Sequence, residues 1–534
     1  MSKALIITPP FWDPVCPPLG MASLKAFAES NGHLVNILDF NTYNSVFQIQ
    51  NEYFNEVIAQ FPYMKSWNIA RNGTEMLSIH QMVYMFHENK NFYGEMITEI
   101  LNMDGRTSGD FHDNLDVNRF DEIFDKLFYN VKEILDRYIH KGLDVVGCHL
   151  NNSTWASTLY ILRYVKKKYP KIRTVVGGPG PVMGIISNPK EIELFMEKNN
   201  FIDHFIAGEG EHGFLNILNN EFYFKPIIFN SSDEKLEMHD LPPPDFDGLQ
   251  LDRYLEMSVS ASRGCPFECS FCAETKFWDG FKTNKASNVY KQMNHLERKY
   301  KRSSFYICDS LSNHIITPLT KLIHENKKDY HLDCYLRADK ICTDEKRTKV
   351  WREGGLYRAR LGLESASQRI LDDMVKMTTP EKMEGSLAAL SKHGILTSTL
   401  WIVGYPGETE SEFESSLSFL ERNHKNIYQA DAWVFQYSPV GLAGSDEFEK
   451  KSNSKPRFSD EINKILAVSP YGLDDGLKTA EKFDRLERFT NKMKELKIPN
   501  PYSIADTIKA QKRFTDLHTD CGWDPVKSMN KSDA

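Results

Sequence analysis

The sequence predicts an α/β protein with a doubly wound, Rossmann-like N-terminal domain, a partial parallel (β/α)6 barrel and a helical C-terminal region. Three observations support this. Short apolar runs alternate with helical patterns along most of the 534 residues, which is typical of parallel sheets covered by helices. Three consecutive prolines at 242–244 separate two such series, because proline continues neither a helix nor a central strand. After residue 439 the apolar runs disappear and helical patterns remain.

The first series predicts a domain over residues 1–240. Its strands are expected at 4–8, 34–39, 145–150, 174–177 and 205–207, with helices at 20–30 and 155–168. Residues from about 41 to 142 contain helical stretches, clearest at 120–138, and no strong strand. We interpret them as a helical insertion that either packs on the sheet or forms part of a substrate entrance. Ligands of doubly wound sheets bind at the carboxyl ends of the strands.

The second series predicts the barrel over residues 241–445. Its six strands are expected at 258–261, 304–308, 333–336, 358–363, 397–402 and 432–436. Helical patterns such as 380–393 and 410–422 separate them. Residues 446–534 form the predicted helical region, with its best helix at 480–496.

Charge and composition restrict the partners. The chain has 65 Lys and Arg against 73 Asp and Glu, a net charge of −8, which argues against a nonspecific nucleic-acid partner. No run approaches the ~18 apolar residues of a membrane span, and the apolar start of the chain is too short for a signal peptide. We expect a cytoplasmic protein, where thiols stay reduced.

Three of the nine cysteines, Cys265, Cys269 and Cys272, lie together with the spacing C-x3-C-x2-C directly after a predicted strand. Three thiolates on one loop can ligate three irons of a [4Fe–4S] cluster and leave the fourth iron open. Zinc is the alternative metal, but a structural zinc needs a fourth protein ligand, and no second Cys or His pair follows at suitable spacing.

This loop resembles that of the radical S-adenosylmethionine (SAM) superfamily, in which the open iron binds SAM and the cluster cleaves it to a 5′-deoxyadenosyl radical. Residues 361–365, 404–409 and 438–441 resemble the ends of the family's fourth, fifth and sixth strands. The family's Gly-Gly-Glu at the second strand is absent, and Asp309 or Ser310 stands in its place. The alternative for Glu364 is a strand-end salt bridge. The resemblance implies SAM contacts by Phe271, Asp309, Glu364, Gly404, Pro406 and Gly407.

Residues 5–211 resemble the cobalamin-binding domain that precedes the radical SAM barrel in one large class. The matching pieces are 17–20, 32–33, 144–147, 176–179 and 208–211. Small residues at strand ends let a flat, bulky ring approach the backbone. The alternative is an ordinary doubly wound sheet whose glycines only make turns. The resemblance implies cobalamin contacts by Ser153, Thr154, Gly177, Gly178, Gly208 and Glu209.

The Asp-x-His-x-x-Gly pattern of cobalamin mutases, whose histidine ligates cobalt, does not follow the first predicted strand. A near match at 516–522 has its glycine one residue late and lies in the C-terminal tail, so we reject it. We therefore expect no histidine ligand on the cobalt. His149, near the end of a predicted strand, is the one histidine placed where it could ligate the cobalt, but we expect it to have a hydrogen-bonded structural role.

The chain is therefore identified as a member of the cobalamin-dependent radical SAM enzymes, with a [4Fe–4S] cluster, SAM and cobalamin as cofactors. The resemblance implies a C-methyltransferase acting on an unactivated carbon of a small molecule or natural-product intermediate. The alternatives are a cobalamin-dependent rearrangement or cyclisation, a radical SAM enzyme with a vestigial cobalamin domain, and a noncatalytic iron–sulfur protein. Expected partners are a small-molecule or peptide substrate and an electron donor of the flavodoxin or ferredoxin type.

Overall fold

The computed structural model describes residues 1–11, 16–62, 64, 73–88, 90–102, 115–178, 189–221, 227–229, 236–278, 280–436, 453–466, 471–474, 477–500 and 504–518. Two six-stranded parallel sheets dominate it, and two small two-stranded sheets accompany them. The predicted fold class is confirmed. The predicted domain limits at 240 and 445 stay predictions, and residue 445 lies outside the described residues.

The first sheet has the strand order β2-β1-β3-β4-β5-β6, and all its pairs are parallel. Its strands are β1 (Lys3–Thr8), β2 (Leu34–Asp39), β3 (Val145–His149), β4 (Arg173–Gly177), β5 (His204–Ala207) and β6 (Ile227–Phe229). All five predicted strands are present, and β6 is an addition of three residues, too short to show a readable pattern. From β1 the chain first adds β2 on one side, and then crosses over to add β3 on the other side. The topological switch point therefore lies between β1 and β3, where such sheets bind ligands.

Eight helices of the described residues accompany this sheet. They are Leu19–Ser30, Asn44–Gln60, Thr74–Phe86, Lys90–Leu101, Val117–Tyr138, Trp155–Lys168, Pro189–Lys198 and Gly210–Leu218. Four of them lie between β2 and β3, in the stretch interpreted from the sequence as a helical insertion. The helix Val117–Tyr138 shows why: Phe120, Phe124, Leu127 and Val131 recur at three- and four-residue spacing and are all buried.

The second sheet has the order β7-β10-β11-β12-β13-β14, again all parallel. Its strands are β7 (Met257–Val259), β10 (Ser304–Ile307), β11 (His331–Leu336), β12 (Leu356–Glu364), β13 (Leu396–Val403) and β14 (Gln429–Val434). Strands that neighbour one another in chain order form an open barrel, as predicted. The pairs β8 (Ser262–Arg263) with β9 (Lys282–Thr283) and β15 (Asn453–Pro456) with β16 (Tyr471–Asp474) are antiparallel and were not predicted, because two to four residues carry no readable alternation.

The barrel and the C-terminal region have ten helices in the described ranges. They are Glu274–Phe277, Ala286–Tyr300, Ile316–Glu325, Glu345–Glu353, Gln368–Asp373, Pro380–Lys392, Glu410–Asn423, Asp460–Leu466, Thr479–Glu495 and Ile504–Leu517. The last one packs Ala510 and Phe514 against Tyr357, Leu396 and Tyr428, and so closes the amino end of the barrel. None of the helices in the described ranges combines the length and the apolar character needed to cross a membrane.

Candidate active site

A cavity of about 420 Å³ lies between the carboxyl ends of the first sheet and the first strands of the barrel. Both domains line it. The first domain contributes Thr8, His149, Gly177, Gly178, Gly208 and Glu209, and the barrel contributes Ser260, Ser262, Arg263, Glu274, Cys308 and Ser310. Four of the six residues predicted to contact cobalamin therefore line one cavity at the topological switch point.

Glycines form part of the cavity wall on the side of the first domain. Gly178 has φ +122°, and a Cβ there would lie 2.7 Å from His149 Cδ2, so the position requires glycine. A Cβ at Gly177 would meet the Ile206 carbonyl at 3.4 Å, an ordinary contact, so that the chain itself does not require glycine there. Burial lowers the pKa of His149 to about 4, which keeps its imidazole neutral at pH 7.

Ser153 and Thr154 lie in the turn between β3 and the helix Trp155–Lys168 and are not among the residues that line the cavity. The Thr154 hydroxyl accepts the Asn151 N–H at 3.0 Å and donates to the His149 carbonyl at 3.1 Å. The Asn151 side chain accepts the N–H groups of Ser153 and Thr154, both at 2.9 Å. These groups stabilise the turn, and their contact with cobalamin stays a prediction.

Glu209 of the first domain forms ion pairs with two basic side chains of the barrel. Its carboxylate lies 2.8 Å from Arg263 and 2.5 Å from Lys282. The Arg263 guanidinium also lies 2.5 Å from Glu211, whose side chain is only 4% exposed. Residues 208–211 thus connect the two domains, a role that the sequence analysis missed because Arg263 lies more than fifty residues away along the chain.

The three cysteines lie on the loop that follows β8. Gly264 begins this loop with φ +80°, and a Cβ there would lie 1.9 Å from the Gly280 carbonyl oxygen, so only glycine fits. The Cys272 N–H donates to the Cys269 carbonyl at 3.0 Å, which turns the loop back on itself. Burial raises the pKa of the Cys265 thiol, and it raises the pKa of Cys272 to about 12. Thiolates at these positions therefore need a positively charged partner, as a metal centre provides.

The donor set fits an iron–sulfur cluster. In the ranges that the structure describes, no three His, Cys or carboxylate side chains gather as the ligands of one metal ion do. A four-iron cluster binds each thiolate through a different iron, so its ligands need not meet at one point. The Arg337 guanidinium, 3.9 Å from Cys269 Sγ, adds a positive charge beside the loop.

Hydrogen bonds join the cysteine loop to Met374, at the end of the helix that follows β12, and to Tyr405, in the turn after β13. The Ser270 N–H donates to the Met374 carbonyl at 3.0 Å, and the Ser270 hydroxyl lies 2.7 Å from the Tyr405 hydroxyl. Phe271 packs against the apolar cluster that contains Met374 and Tyr405. Two segments that the sequence analysis assigned to SAM binding, the cysteine loop with Phe271 and residues 404–409, are therefore brought together.

Glu364 ends β12 with φ +65° and forms the salt bridge that was its predicted alternative role. Its partner is Lys376 at 2.8 Å, and both side chains are 9% exposed. The Lys376 ammonium lies 5.4 Å from the centroid of the Phe271 ring. A Cβ at Gly362 would come within 2.4 Å of Glu364 Oε1, so a larger residue there would displace this carboxylate. A contact of Glu364 with SAM stays a prediction.

The turn after β13 is held by a buried ion pair. Gly404 has φ +71° and donates its N–H to Glu408 at 2.9 Å. Glu408 also accepts from Arg485 of the helix Thr479–Glu495 at 2.8 Å, and both side chains are buried. Gly407 has φ +76° and completes the turn with Pro406. The sequence analysis missed Arg485, because it lies far along the chain and outside any recognisable pattern.

Asp309 follows β10 and forms hydrogen bonds with the two residues that come directly after β7. Its Oδ1 accepts the Ala261 N–H at 2.8 Å and the Ser260 hydroxyl at 3.1 Å. Burial raises its pKa to about 6. The neighbouring Ser310 donates to Glu274 at 2.7 Å. The predicted segment 438–441 lies outside the described residues.

The family model of the radical SAM superfamily matches residues 259–420. The anaerobic magnesium-protoporphyrin IX monomethyl ester cyclase of Rubrivivax gelatinosus is 26% identical over 301 residues, 51% of this chain and 53% of the relative, so the chain spans about half of that protein's length. An uncharacterized methyltransferase of Pyrococcus horikoshii is 25% identical over 322 residues, 56% of this chain and 68% of the relative.

Two solved structures share the fold over most of the chain. The radical SAM methyltransferase TsrM of Kitasatospora setae, with tryptophan substrate and a SAM analogue bound, has a TM-score of 0.59 at 12% identity and covers 100% of this chain and 99% of its own. The cobalamin-dependent radical enzyme OxsB, with aqua-cobalamin and SAM bound, has a TM-score of 0.52 at 15% identity over 87% of this chain and 55% of its own. The predicted resemblance is therefore confirmed: this chain contains a radical SAM domain and has the fold of the cobalamin-dependent radical SAM enzymes.

Proposed function

We propose that this protein is a cobalamin-dependent radical SAM methyltransferase that methylates an unactivated carbon of a small molecule. The observation that carries the proposal is the shared cavity. The glycine-lined strand ends of the first domain and the residues that precede the cysteine loop face the same space. Two cofactors bound from opposite sides would then meet over one substrate.

In this proposal, each predicted site residue contacts one of the three cofactors. Cys265, Cys269 and Cys272 would hold the cluster. Phe271, Asp309, Glu364 and the turn of Gly404, Pro406 and Gly407 would hold SAM, while Ser153, Thr154, Gly177, Gly178, Gly208 and Glu209 would face cobalamin. When bound, the cluster and SAM supply hydrogen abstraction, and cobalamin supplies methyl transfer.

The chain itself contributes orientation and the exclusion of water. The Glu209–Arg263 ion pair fixes the first domain against the start of the cysteine loop. The Ser270–Met374 hydrogen bond fixes the loop against the end of the barrel. The apolar side chains of Ile6, Met21 and Phe214 line part of the cavity wall, a surface that disfavours bound water.

Two features support the proposed partners. The neighbouring TsrM structure contains tryptophan as its substrate, which supports a small molecule here. Pro266 and Glu268 of the cysteine loop are exposed, so an electron donor of the flavodoxin or ferredoxin type can approach the loop from solvent. Reduced thiols at this loop also agree with a reducing compartment such as the cytoplasm.

Anaerobic reconstitution tests the proposal. Protein purified with iron, sulfide and hydroxocobalamin should contain about four irons and one corrinoid per chain, and should cleave SAM under a strong reductant. The variant in which all three loop cysteines are replaced by alanine is the control: it should lack the iron and fail to cleave SAM, but it should still bind the corrinoid. A protein that binds the cluster but no corrinoid would contradict the cobalamin part and support a vestigial domain.

A cyclisation or rearrangement is the second candidate, because the relative from Rubrivivax gelatinosus is named as a cyclase. The mass of the product separates the two. A gain of one methylene unit supports methyl transfer, and a product of equal mass or with fewer hydrogens supports cyclisation or rearrangement.

A further inference from the structure

Arg337 directly follows β11, and its main chain is fixed on both sides. Its N–H donates to the Asn313 side chain at 2.8 Å. Its carbonyl accepts from the Asn313 amide at 3.0 Å and from the Cys342 thiol at 3.1 Å. The starting point of the side chain is therefore held rigidly at the carboxyl end of the barrel.

The Arg337 side chain reaches the cysteine loop. Its guanidinium carbon lies 3.9 Å from the centroid of the Phe267 ring, a cation–π contact. Its Nη1 atom lies 3.9 Å from Cys269 Sγ. The residue is 6% exposed. Phe267 lies between Cys265 and Cys269 in the chain, so this stacking places the charge inside the bend of the loop.

Among the described residues, Arg337 has no carboxylate partner to balance its buried charge. Its Nη2 atom has no hydrogen-bond partner there, and the side-chain contacts of its guanidinium are those with Phe267 and Cys269. Burying a guanidinium without a counter-charge is strongly unfavourable. The position therefore requires an anionic group beside the three thiols.

We propose that Arg337 is a positioning residue whose charge stabilises the reduced form of the cluster held by Cys265, Cys269 and Cys272. The inference rests on the proposed function, because it requires that cluster. Reduction adds one electron, supplied by the low-potential donor or by dithionite in the test, and no bond forms or breaks in that step. The added negative charge is attracted by a fixed cation, so Arg337 raises the reduction potential of the cluster.

Arg302 provides a matched control. It is also a partly buried arginine, but it donates to the carbonyls of Leu251 and Leu255, at 3.3 and 2.9 Å, at the amino end of the barrel. Replacing it by glutamine removes a similar side chain at the opposite end from the cysteine loop. Arg337→Lys keeps the positive charge, whereas Arg337→Gln removes it.

The test is a redox titration of the reconstituted, full-length protein and its variants, without SAM, followed by electron paramagnetic resonance. We expect Arg337→Gln to lower the equilibrium constant for cluster reduction about tenfold, which is 59 mV for a one-electron couple. Arg337→Lys should recover most of this change, and Arg302→Gln should match the wild type. A second result would likewise support the role of the positive charge: the cluster assembles in Arg337→Lys but not in Arg337→Gln, while both variants unfold at the same temperature.

Other results overturn the inference. An unchanged midpoint potential in Arg337→Gln at full iron and sulfide content contradicts it while leaving the proposed function intact. Loss of SAM binding with an unchanged potential also contradicts it and assigns the guanidinium to the SAM carboxylate. A wild-type protein that holds no [4Fe–4S] cluster overturns both the inference and the proposed function.

Discussion

Arg263 and Glu209 meet at 2.8 Å across the boundary between the two domains, and both line the cavity. Their side chains are only 12% and 11% exposed. Arg263 directly precedes the glycine that begins the cysteine loop, and Glu209 follows the last predicted strand of the first domain. Together with the ion pairs Arg263–Glu211 and Lys282–Glu209, this contact joins the two proposed cofactor sites.

Arg263→Gln should lower the free energy of unfolding by about 3 kcal/mol, because it leaves the buried Glu211 carboxylate, which is 4% exposed, without its cation. Urea unfolding of the cofactor-free protein measures this. The control is Arg119→Gln, whose ion pair with Glu122 has both side chains more than half exposed and should contribute at most ~1 kcal/mol. Equal losses of unfolding free energy in the two variants would show that the buried cross-domain ion pair stabilises the fold no more than an exposed one.

The positions of the strands along the chain were predictable from the sequence, because each buried parallel strand is a short apolar run bounded by polar turns. All six barrel strands and five of the six strands in the first sheet were predicted. The strand β6 and the pairs β8–β9 and β15–β16 were missed, because their stability comes from neighbouring segments and not from a local pattern.

The parts of the candidate site that could be predicted are those that belong to a local sequence motif. Cys265, Cys269 and Cys272 share one short loop, and the glycines at 177, 178 and 208 end or directly follow strands, so local spacing reveals both groups. The residues that orient them, such as Arg337 and Arg485, are single arginines in ordinary helical or strand-end sequence. Their partners are distant along the chain, and only the fold brings them together.

Cysteine replacements should separate the cluster ligands from the other buried thiols. Alanine at Cys265, Cys269 or Cys272 should remove most of the iron of the reconstituted protein, because three thiolates are the minimum that holds a site-differentiated cluster. Cys334→Ala, in β11 and fully buried, is the control and should retain its iron. Iron and sulfide quantification measures the effect. Iron retained in all three loop variants would exclude this loop as the cluster site.

Gly177→Ala should weaken cobalamin binding at least tenfold without destabilising the fold. The new methyl group meets Ile206 at ordinary van der Waals distance, so the chain accepts it. Gly177 and Ile206 both line the cavity, and a methyl group added to this wall should hinder the approach of a flat ring to the backbone. Gly94→Ala, in a helix of the insertion with open space around the new Cβ, is the control. Corrinoid titration followed by absorbance gives the affinity, and thermal unfolding verifies the fold. Unchanged affinity in Gly177→Ala would place cobalamin elsewhere.

Asp309 should make part of the stability depend on pH in the acidic range. Burial raises its pKa to about 6 in the folded chain, whereas the unfolded value is about 3.9. Between these values the folded state retains a proton that the unfolded state releases, so the free energy of unfolding falls as the pH rises from about 4 to 6. The full loss is at most about 3 kcal/mol and stays constant at higher pH.

The variant Asp309→Asn keeps the oxygen that accepts from the Ala261 N–H but cannot ionise, so it should lose less stability than the wild type between pH 4.5 and 7.5. Urea midpoints measured at both pH values give the difference. Asp329→Asn, at a side chain that is 96% exposed, is the control and should follow the wild type, because burial does not penalise a charge that faces solvent. A wild type and an Asp309→Asn variant with the same pH dependence would show that the carboxylate at the end of β10 is not penalised by burial, and that solvent or a cation reaches it.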